Sequence, residues 1–223
     1  MASTYLMFVA QFVLTKIPAQ SVFYNKAQVL INKMKELSTQ IHDAIYQYGV
    51  IPTEEGKSVF AYEVDGMGNY RLYDDANLPS LISLPYFNFV EQSNPIYQNT
   101  RNYLLSNRNK YFFSSGKISG IGSSHTNPRY IWPLALMTQI MTSDKDAEIS
   151  NCLESLIVSA KNDLMHESFS VDSPKAITRD WFAWANSFFG ETVVFLHSQR
   201  KHLLKWWREI KLKSDERKKL IKI

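Results

Sequence analysis

The residues of this 223-residue sequence best suited to chemistry fall at four places. Asp74-Asp75-Ala76-Asn77 closes a β-prone run. His125 lies in the glycine- and serine-rich stretch SSGKISGIGSSHTNPR. His166-Glu167 and Arg179 flank a loop that leads to Trp181 and Trp184, and Glu191 follows Gly190 inside WFAWANSFFGETVVFL. Acids set beside Trp and Phe suit carbohydrate, whose apolar faces pack on rings while carboxylates hold the hydroxyls. They suit an ordinary core equally well, because aromatic side chains dominate buried area wherever they occur.

Each place has a second reading. Asp75 or Asn77 serves equally as the N-cap of a helix about to begin, since a short polar side chain accepts the first helical amides. Two adjacent aspartates and an asparagine exceed what a cap needs. Glu167 and Arg179 fit an isolated surface salt bridge almost as well as a site. Glu191, if turned to the aromatic side of its helix, is desolvated and its pKa rises. Turned the other way, it faces solvent. Cys152 falls on an inward helical stripe and reads as a packing residue, buried thiols being mostly inert.

Several classes of chemistry are excluded. There is no P-loop, no dinucleotide-binding glycine pattern opening a helix, no HExxH and no serine-nucleophile elbow. The five histidines, His42, His125, His166, His197 and His202, are scattered. His197 and His202 are five apart rather than four, so no metal site and no cofactor is expected. One cysteine makes no disulfide framework, and 45% apolar residues are too many for a disordered chain. The net charge of +4 is local: residues 201–223 hold nine Lys/Arg against three acids, which leaves residues 1–200 at −2. A nucleic-acid partner therefore finds no support in the pI. Tyr5–Leu14 has the length of a signal-peptide core without its basic flank and reads as a buried helix, which with the single cysteine leans towards the cytosol.

The elements that would position these residues are mostly helices. Leu30, Met34, Leu37, Ile41, Ala44, Ile45 and Tyr48 recur at three- and four-residue steps as one buried stripe, ended by Gly49 and Pro52. Ser58–Asp74 predicts a hairpin about Asp65-Gly66-Met67-Gly68-Asn69. Leu78–Phe87 and Ile96–Leu105 predict short helices opened by Pro79 and Pro95. Ser114–Arg129 reads as a loop. Helices follow at Tyr130–Met141, at Asp144–Leu164 with Ser143 or Asp144 as cap, and at Asp180–Arg200 capped by Thr178, with Met165–Pro174 as a loop. The last helix presents Trp181, Trp184, Ala185, Phe188 and Glu191. The fold class is mostly α, with one inserted β-hairpin.

YEVDGMGNYRLYDDANLPSLISLPYF, NTRNYLLSNRNKYFF, GIGSSHTNPRYIWPLALMTQIMTS, MHESF and TRDWFAWANSFFGE, in this order, closely resemble the blocks of glycoside hydrolase family 125, the exo-α-1,6-mannosidases. The resemblance runs from about Tyr62 to Phe195. Leu6-Met7-Phe8-Val9-Ala10 more weakly resembles a mid-domain helix that follows a Ser-Asp-Asp motif in the family. The resemblance implies a six-hairpin (α/α)6 toroid, of which this chain is roughly the C-terminal half, and inverting removal of terminal α-1,6-linked mannose without a metal. It places the general base on Glu191 and the acid in the Ser-Asp-Asp motif, which this sequence lacks. Asp74 or Asp75 is the stand-in. Asp74, Asp75, Asn77, His125, His166, Glu167, Arg179 and Trp184 are the expected mannose contacts.

The same comparison divides the chain into residues 1–200, the glycosidase part, and 201–223, a basic helical tail. Leu203, Leu204, Trp206, Trp207 and Ile210 beside lysines fit either an extension of the last helix or a helix lying on anionic lipid. The expected partner is a mannose-containing oligosaccharide. The competing expectation is a catalytically dead remnant that at most binds such a glycan, because half of a toroid does not assemble both carboxylates and leaves apolar faces bare.

Overall fold

The computed structural model describes residues 24–161 and 163–204. The segment 5–14 and most of the basic tail, on which the signal-peptide, mid-domain-helix and lipid readings fall, lie outside the described residues. The chain divides into two compact units, residues 1–112 and 113–223.

The first unit opens with α1, Tyr24–Tyr48, followed by the paired strands β1, Val50–Pro52, and β2, Ser58–Phe60. A second hairpin pairs β3, Glu63–Val64, with β4, Tyr70–Arg71. Its turn is the expected Asp65–Asn69, in which the Asp65 carboxylate accepts the amides of Met67 at 2.8 Å and Asn69 at 3.0 Å. Helix α2, Pro95–Leu104, starts where proline at the first turn and an Asn94 side chain accepting from the Ile96 and Tyr97 amides direct it. Phe60, Leu84, Phe89, Val90 and Tyr97 form the core, with Ile45, Tyr46 and Leu81 packed against it. Thr100 joins hairpin to helix: its hydroxyl accepts from the Phe60 amide at 2.8 Å and donates to the Ile96 carbonyl at 2.7 Å.

Two expectations for this unit are corrected. Leu78–Phe87 is a series of tight turns, not a helix. The Ser83 hydroxyl takes the Ser80 amide at 2.8 Å and returns a bond to the Ser80 carbonyl at 2.7 Å, which diverts groups a helix would use, and Pro85 has no amide to offer. The stripe on α1 is also split. Ile31 and Ser38 are buried and Met34, Ile41 and Ile45 half-buried, while Leu30, Leu37 and Tyr48 are exposed.

The second unit begins with a correction. Ser114–Arg129 is not all loop, because β5, Phe112–Ser115, pairs with β6, Ile118–Ile121. Phe and Ile flank a two-residue turn in which Gly116 supplies a φ of 57°, a combination that favours a hairpin. After a loop through Arg129, β7, Tyr130–Ile131, joins β8, Ser168–Ser170, and β9, Ile177–Thr178, in a three-stranded antiparallel sheet with β8 central. Three helices complete the unit: α3, Pro133–Met141; α4, Asp146–Ser159; and α5, Ala183–Gln199. Helix α3 packs on both α4 and α5. Leu134, Leu136, Met137 and Ile140 of α3 and Ile149, Leu153 and Leu156 of α4 are buried, and the Cys152 thiol is buried on the same face of α4.

Helix ends differ from expectation for local reasons. Helix α4 begins after Lys145, which is its cap residue, so neither Ser143 nor Asp144 caps it; the Ser143 hydroxyl instead accepts the Lys145 amide and donates to Glu148 at 2.6 Å. Helix α5 starts at Ala183 rather than Asp180. The Thr178 hydroxyl, expected as its cap, is engaged by Glu167 and Ser168, and the Phe182 amide goes to the Met165 carbonyl at 3.2 Å. Both units together are mostly α, with short strands only. Among the described residues no helix is long and apolar enough to cross a membrane.

Candidate active-site residues

The first unit holds Asp74, Asp75 and Asn77. Asp74 is completely buried. Its carboxylate accepts the Ile82 amide at 3.0 Å and the Asp75 amide at 3.1 Å, and the side-chain amide of Asn109 donates to its carbonyl at 3.1 Å. Burial pushes its pKa up to about 7 against the pull of these amides, with the Asp75 charge adding to the rise. Asp74 therefore ties the turns around Ile82 to the loop at Asn109 and has no surface from which to touch a sugar.

Asp75, at 8% exposure, accepts both the backbone and side-chain amides of Asn77, at 2.8 and 2.7 Å. That is an Asx turn rather than a helix cap, since no helix begins here. Around the two aspartates lies an aromatic group that sequence reading missed. Tyr62 and Tyr73 have ring centroids 4.7 Å apart, Tyr111 meets Tyr73 edge-on at 5.5 Å, and the Lys110 ammonium sits 4.2 Å from the Tyr73 centroid. Burial, then the charges of Asp75 and Asp74, push the Tyr62 phenol up to about 12, so it stays a neutral donor at any ordinary pH.

The second unit holds His125, His166, Glu167, Arg179, Trp184 and Glu191, and it sets two of them, Arg179 and Trp184, against one residue, Phe182. The Trp132 ring stands edge-on to Phe182 at 6.2 Å, Trp184 lies at 6.2 Å, and the Arg179 guanidinium is 5.7 Å from its centroid. The Trp132 indole N–H donates to Thr126, which brings in the loop carrying the exposed His125. Glu167, only 13% exposed at its side chain, accepts from Thr178 at 3.0 Å and forms an ion pair with Arg179 at 3.4 Å. It is thus a mostly buried acid holding an exposed arginine, more than an isolated surface pair. Arg179 takes a φ of 48°, a strained choice for a side chain with a Cβ.

His166 is buried with no exposure, in edge contact with Phe169. Burial, reinforced by the Lys175 charge, lowers its pKa to about 4, so the ring is neutral at pH 7. Neither ring nitrogen has a hydrogen-bond partner among the described residues. Its backbone neighbour Met165 is fixed from both sides by the side chain of Asn186 on α5, whose oxygen accepts the Met165 amide at 3.0 Å while its NH2 donates to the Met165 carbonyl at 2.7 Å. Asn186 and Phe182 were missed because their roles are long-range; no local pattern marks them. With no exposed surface, His166 is placed to pack and not to meet a ligand.

Glu191 is the largest departure. It is exposed, as are Trp181 and Trp184, whereas Ala185, Phe188, Thr192 and Leu196 form the buried face of α5. The single aromatic face expected for this helix is two faces. Trp184 and Glu191, seven residues apart, share the open one, about 10 Å apart along the axis. Glu191 is not desolvated by the aromatic side.

The arrangement is of neutral and acidic hydrogen-bonding groups set among aromatic rings. Among the described residues, no group of three or more His, Cys, Asp or Glu is placed to hold a metal ion. The family model of metal-independent α-mannosidases, glycoside hydrolase family 125, matches residues 1–194, beginning earlier than Tyr62 and taking in the weaker similarity at residues 6–10. The meiotically up-regulated gene 157 protein of Schizosaccharomyces pombe is 46% identical over 170 residues, covering 75% of this chain and 33% of its own. A solved Streptococcus pneumoniae structure, from a family of metal-independent α-mannosidases and in a non-productive complex with α-1,6-mannobiose, superposes with a TM-score of 0.79 at 36% identity. That match covers 89% of this chain and 46% of the bacterial one, so the chain spans half or less of the length of these relatives. With a match over most of its length, this chain belongs to glycoside hydrolase family 125, the metal-independent α-mannosidases.

Proposed function

We propose that the chain is the base-bearing part of an inverting exo-α-1,6-mannosidase of (α/α)6 six-hairpin architecture, with Glu191 as the general base. One observation carries this reading: Glu191 lies within the family-matched residues and is exposed on the same open face of α5 as Trp184. A base that activates water must be reachable by both water and sugar, and a ring two turns away on the same face offers an apolar surface on which a pyranose packs. Inversion requires a second carboxyl group about 6.5–9.5 Å away to protonate the leaving oxygen. Asp74 does not supply it, because its oxygens are buried on the Ile82 and Asp75 amides. The acid comes from elsewhere in the family domain. Asp75, Asn77, His125, Glu167 and Arg179 are the groups we assign to mannose, with Asp74 and His166 as their supports. Residues 1–200 form the glycosidase part, and the basic residues 201–223 form an appendage.

The burial of Asp74 also favours a second reading, binding of mannose-containing glycan without hydrolysis. One experiment separates the two. The purified chain is incubated with α-1,6-mannobiose and free mannose is measured, with anomeric configuration followed by NMR. Release of β-mannose that is reduced at least about 100-fold by Glu191→Gln supports the enzyme, since removal of a general base costs about 10²–10⁴. Full retention of activity by Glu191→Gln overturns the assignment of the base. Binding without release establishes the second reading.

A further inference from the structure

We propose that the first unit carries an accessory sugar-binding cleft, formed by the β1–β2 hairpin, one face of α2 and the loop that follows it. The inference rests on the reading that the chain takes a mannose-containing glycan and goes beyond it in placing a second contact. The cleft has a volume of about 270 Å³. That is just below the range of pockets for drug-sized ligands, about 300–1,000 Å³, and suits one sugar ring.

The walls are polar and nearly neutral. Asn99, Asn102 and Tyr103 recur at the three- and four-residue spacing of one helical face, while Tyr97, Thr100, Arg101 and Leu104 take the buried face of α2. Asn107 and Thr53 add an amide and a hydroxyl from the flanking loops. The cleft's cations are largely cancelled within the protein: Arg108 pairs with Glu55, and the Lys57 ammonium lies 3.6 Å from the same carboxylate. What remains for a ligand is a set of groups that both donate and accept, as sugar hydroxyls do, beside the half-buried Tyr103 ring. A phosphate or carboxylate ligand would find one uncompensated positive charge at most.

The cleft is also held in shape. The Asn99 amide donates to the Ser58 carbonyl at 3.2 Å, fixing hairpin to helix. The loop Ser106–Arg108 that closes the other side runs directly into Asn109, whose side chain bonds the Asp74 and Leu104 carbonyls at 3.1 and 3.2 Å. One loop thus walls the cleft and clamps the backbone that leads into Asp75 and Asn77.

The test is an NMR titration of the full chain with α-1,6-mannobiose and, separately, with inorganic phosphate. Expected are mannobiose-dependent shifts of the Asn102 and Asn107 side-chain amides and of the Tyr103 and Arg108 backbone amides. In Asn102→Ala the affinity read from the Tyr103 and Arg108 signals falls about fivefold, the equivalent of one neutral hydrogen bond. Shifts confined to Asp75–Asn77 overturn the cleft and leave the mannose reading standing. Shifts in the cleft with phosphate alone overturn it in favour of an anion site. Cleft shifts with none at Asp75–Asn77 support the cleft and count against that segment as a mannose contact, and the absence of shifts anywhere overturns both.

Discussion

Replacing Asp74 by asparagine tests whether this carboxyl group is a structural tie or a displaced catalytic acid. The side chain is completely buried, accepts two backbone amides and titrates near 7 rather than at the ordinary 3.8 of an aspartate. A raised acid pKa means that the folded state keeps its proton over a range in which the unfolded chain has lost it. Stability therefore falls as pH rises from about 4 to about 7, and the loss is complete above the folded pKa. About 3 pKa units at 1.36 kcal/mol each amount to about 4 kcal/mol over that interval. The carboxamide of Asp74→Asn has no such titration. It keeps one oxygen for an amide but presents an NH2 to the other, a mismatch of about 1–3 kcal/mol that does not depend on pH. The expected result is a variant less stable than the wild type at pH 4 whose deficit shrinks by about 4 kcal/mol by pH 8 and reverses there. Urea unfolding of both proteins at unit pH steps measures the difference directly. A difference that stays flat from pH 4 to 8 would refute the buried, proton-sharing Asp74, and with it the argument that this residue is not the acid.

The second unit carries the opposite dependence. His166, neutral when folded down to about pH 4, loses stability as pH falls from the ordinary histidine value of 6.5, by about 3 kcal/mol in all. In the same unfolding series the stability of His166→Phe relative to the wild type is expected to rise by about 3 kcal/mol as pH falls from 6.5 to 4, because only the wild type loses the His166 contribution there; a difference that does not change with pH sinks the assignment. Gly122→Ala places a Cβ 2.1 Å from the Tyr130 carbonyl and 3.0 Å from the Phe113 ring, where backbone must move. It is expected to cost about 3 kcal/mol or more, seen as a lower Tm in thermal unfolding, and an unaltered Tm would contradict the close approach.

What could be read in advance was what short-range chemistry decides. The Pro95 start of α2 and the Asp65–Asn69 turn each depend on residues within five positions of one another. Errors arose where two faces of one helix are both apolar. On α1 the seven apolar residues divide between Met34, Ile41 and Ile45, which are part-buried, and Leu30, Leu37, Ala44 and Tyr48, which are not; the face is completed by Ser38, a buried hydroxyl that periodicity discounts. Helix α5 repeats the problem. Its buried residues are spaced as in any amphipathic helix, at Ala185, Phe188, Thr192 and Leu196, but the exposed rings of Trp184 on the other side and of Trp181 ahead of the helix hid that pattern.

Gly190 shows what the misreading of α5 concealed. A glycine in a helix interior costs about 1 kcal/mol against alanine. Some glycines return that cost by admitting a close neighbour, as Gly122 does with Tyr130. Gly190 does not: a Cβ built on it meets nothing within 4 Å, and its neighbour Glu191 is exposed. Packing within the second unit gives no reason for glycine there, and a desolvated Glu191, the reason the sequence offered, is absent. The proposed role of Glu191 supplies a different reason. A carboxylate that must admit a sugar and a water from the open face of α5 benefits from a neighbour with no side chain, because backbone and ligand then approach without obstruction. On that account Gly190→Ala stabilises the chain by about 0.5–1 kcal/mol in urea unfolding while weakening mannobiose turnover or binding. A variant that gains stability with no loss at the ligand would remove Gly190 from the site.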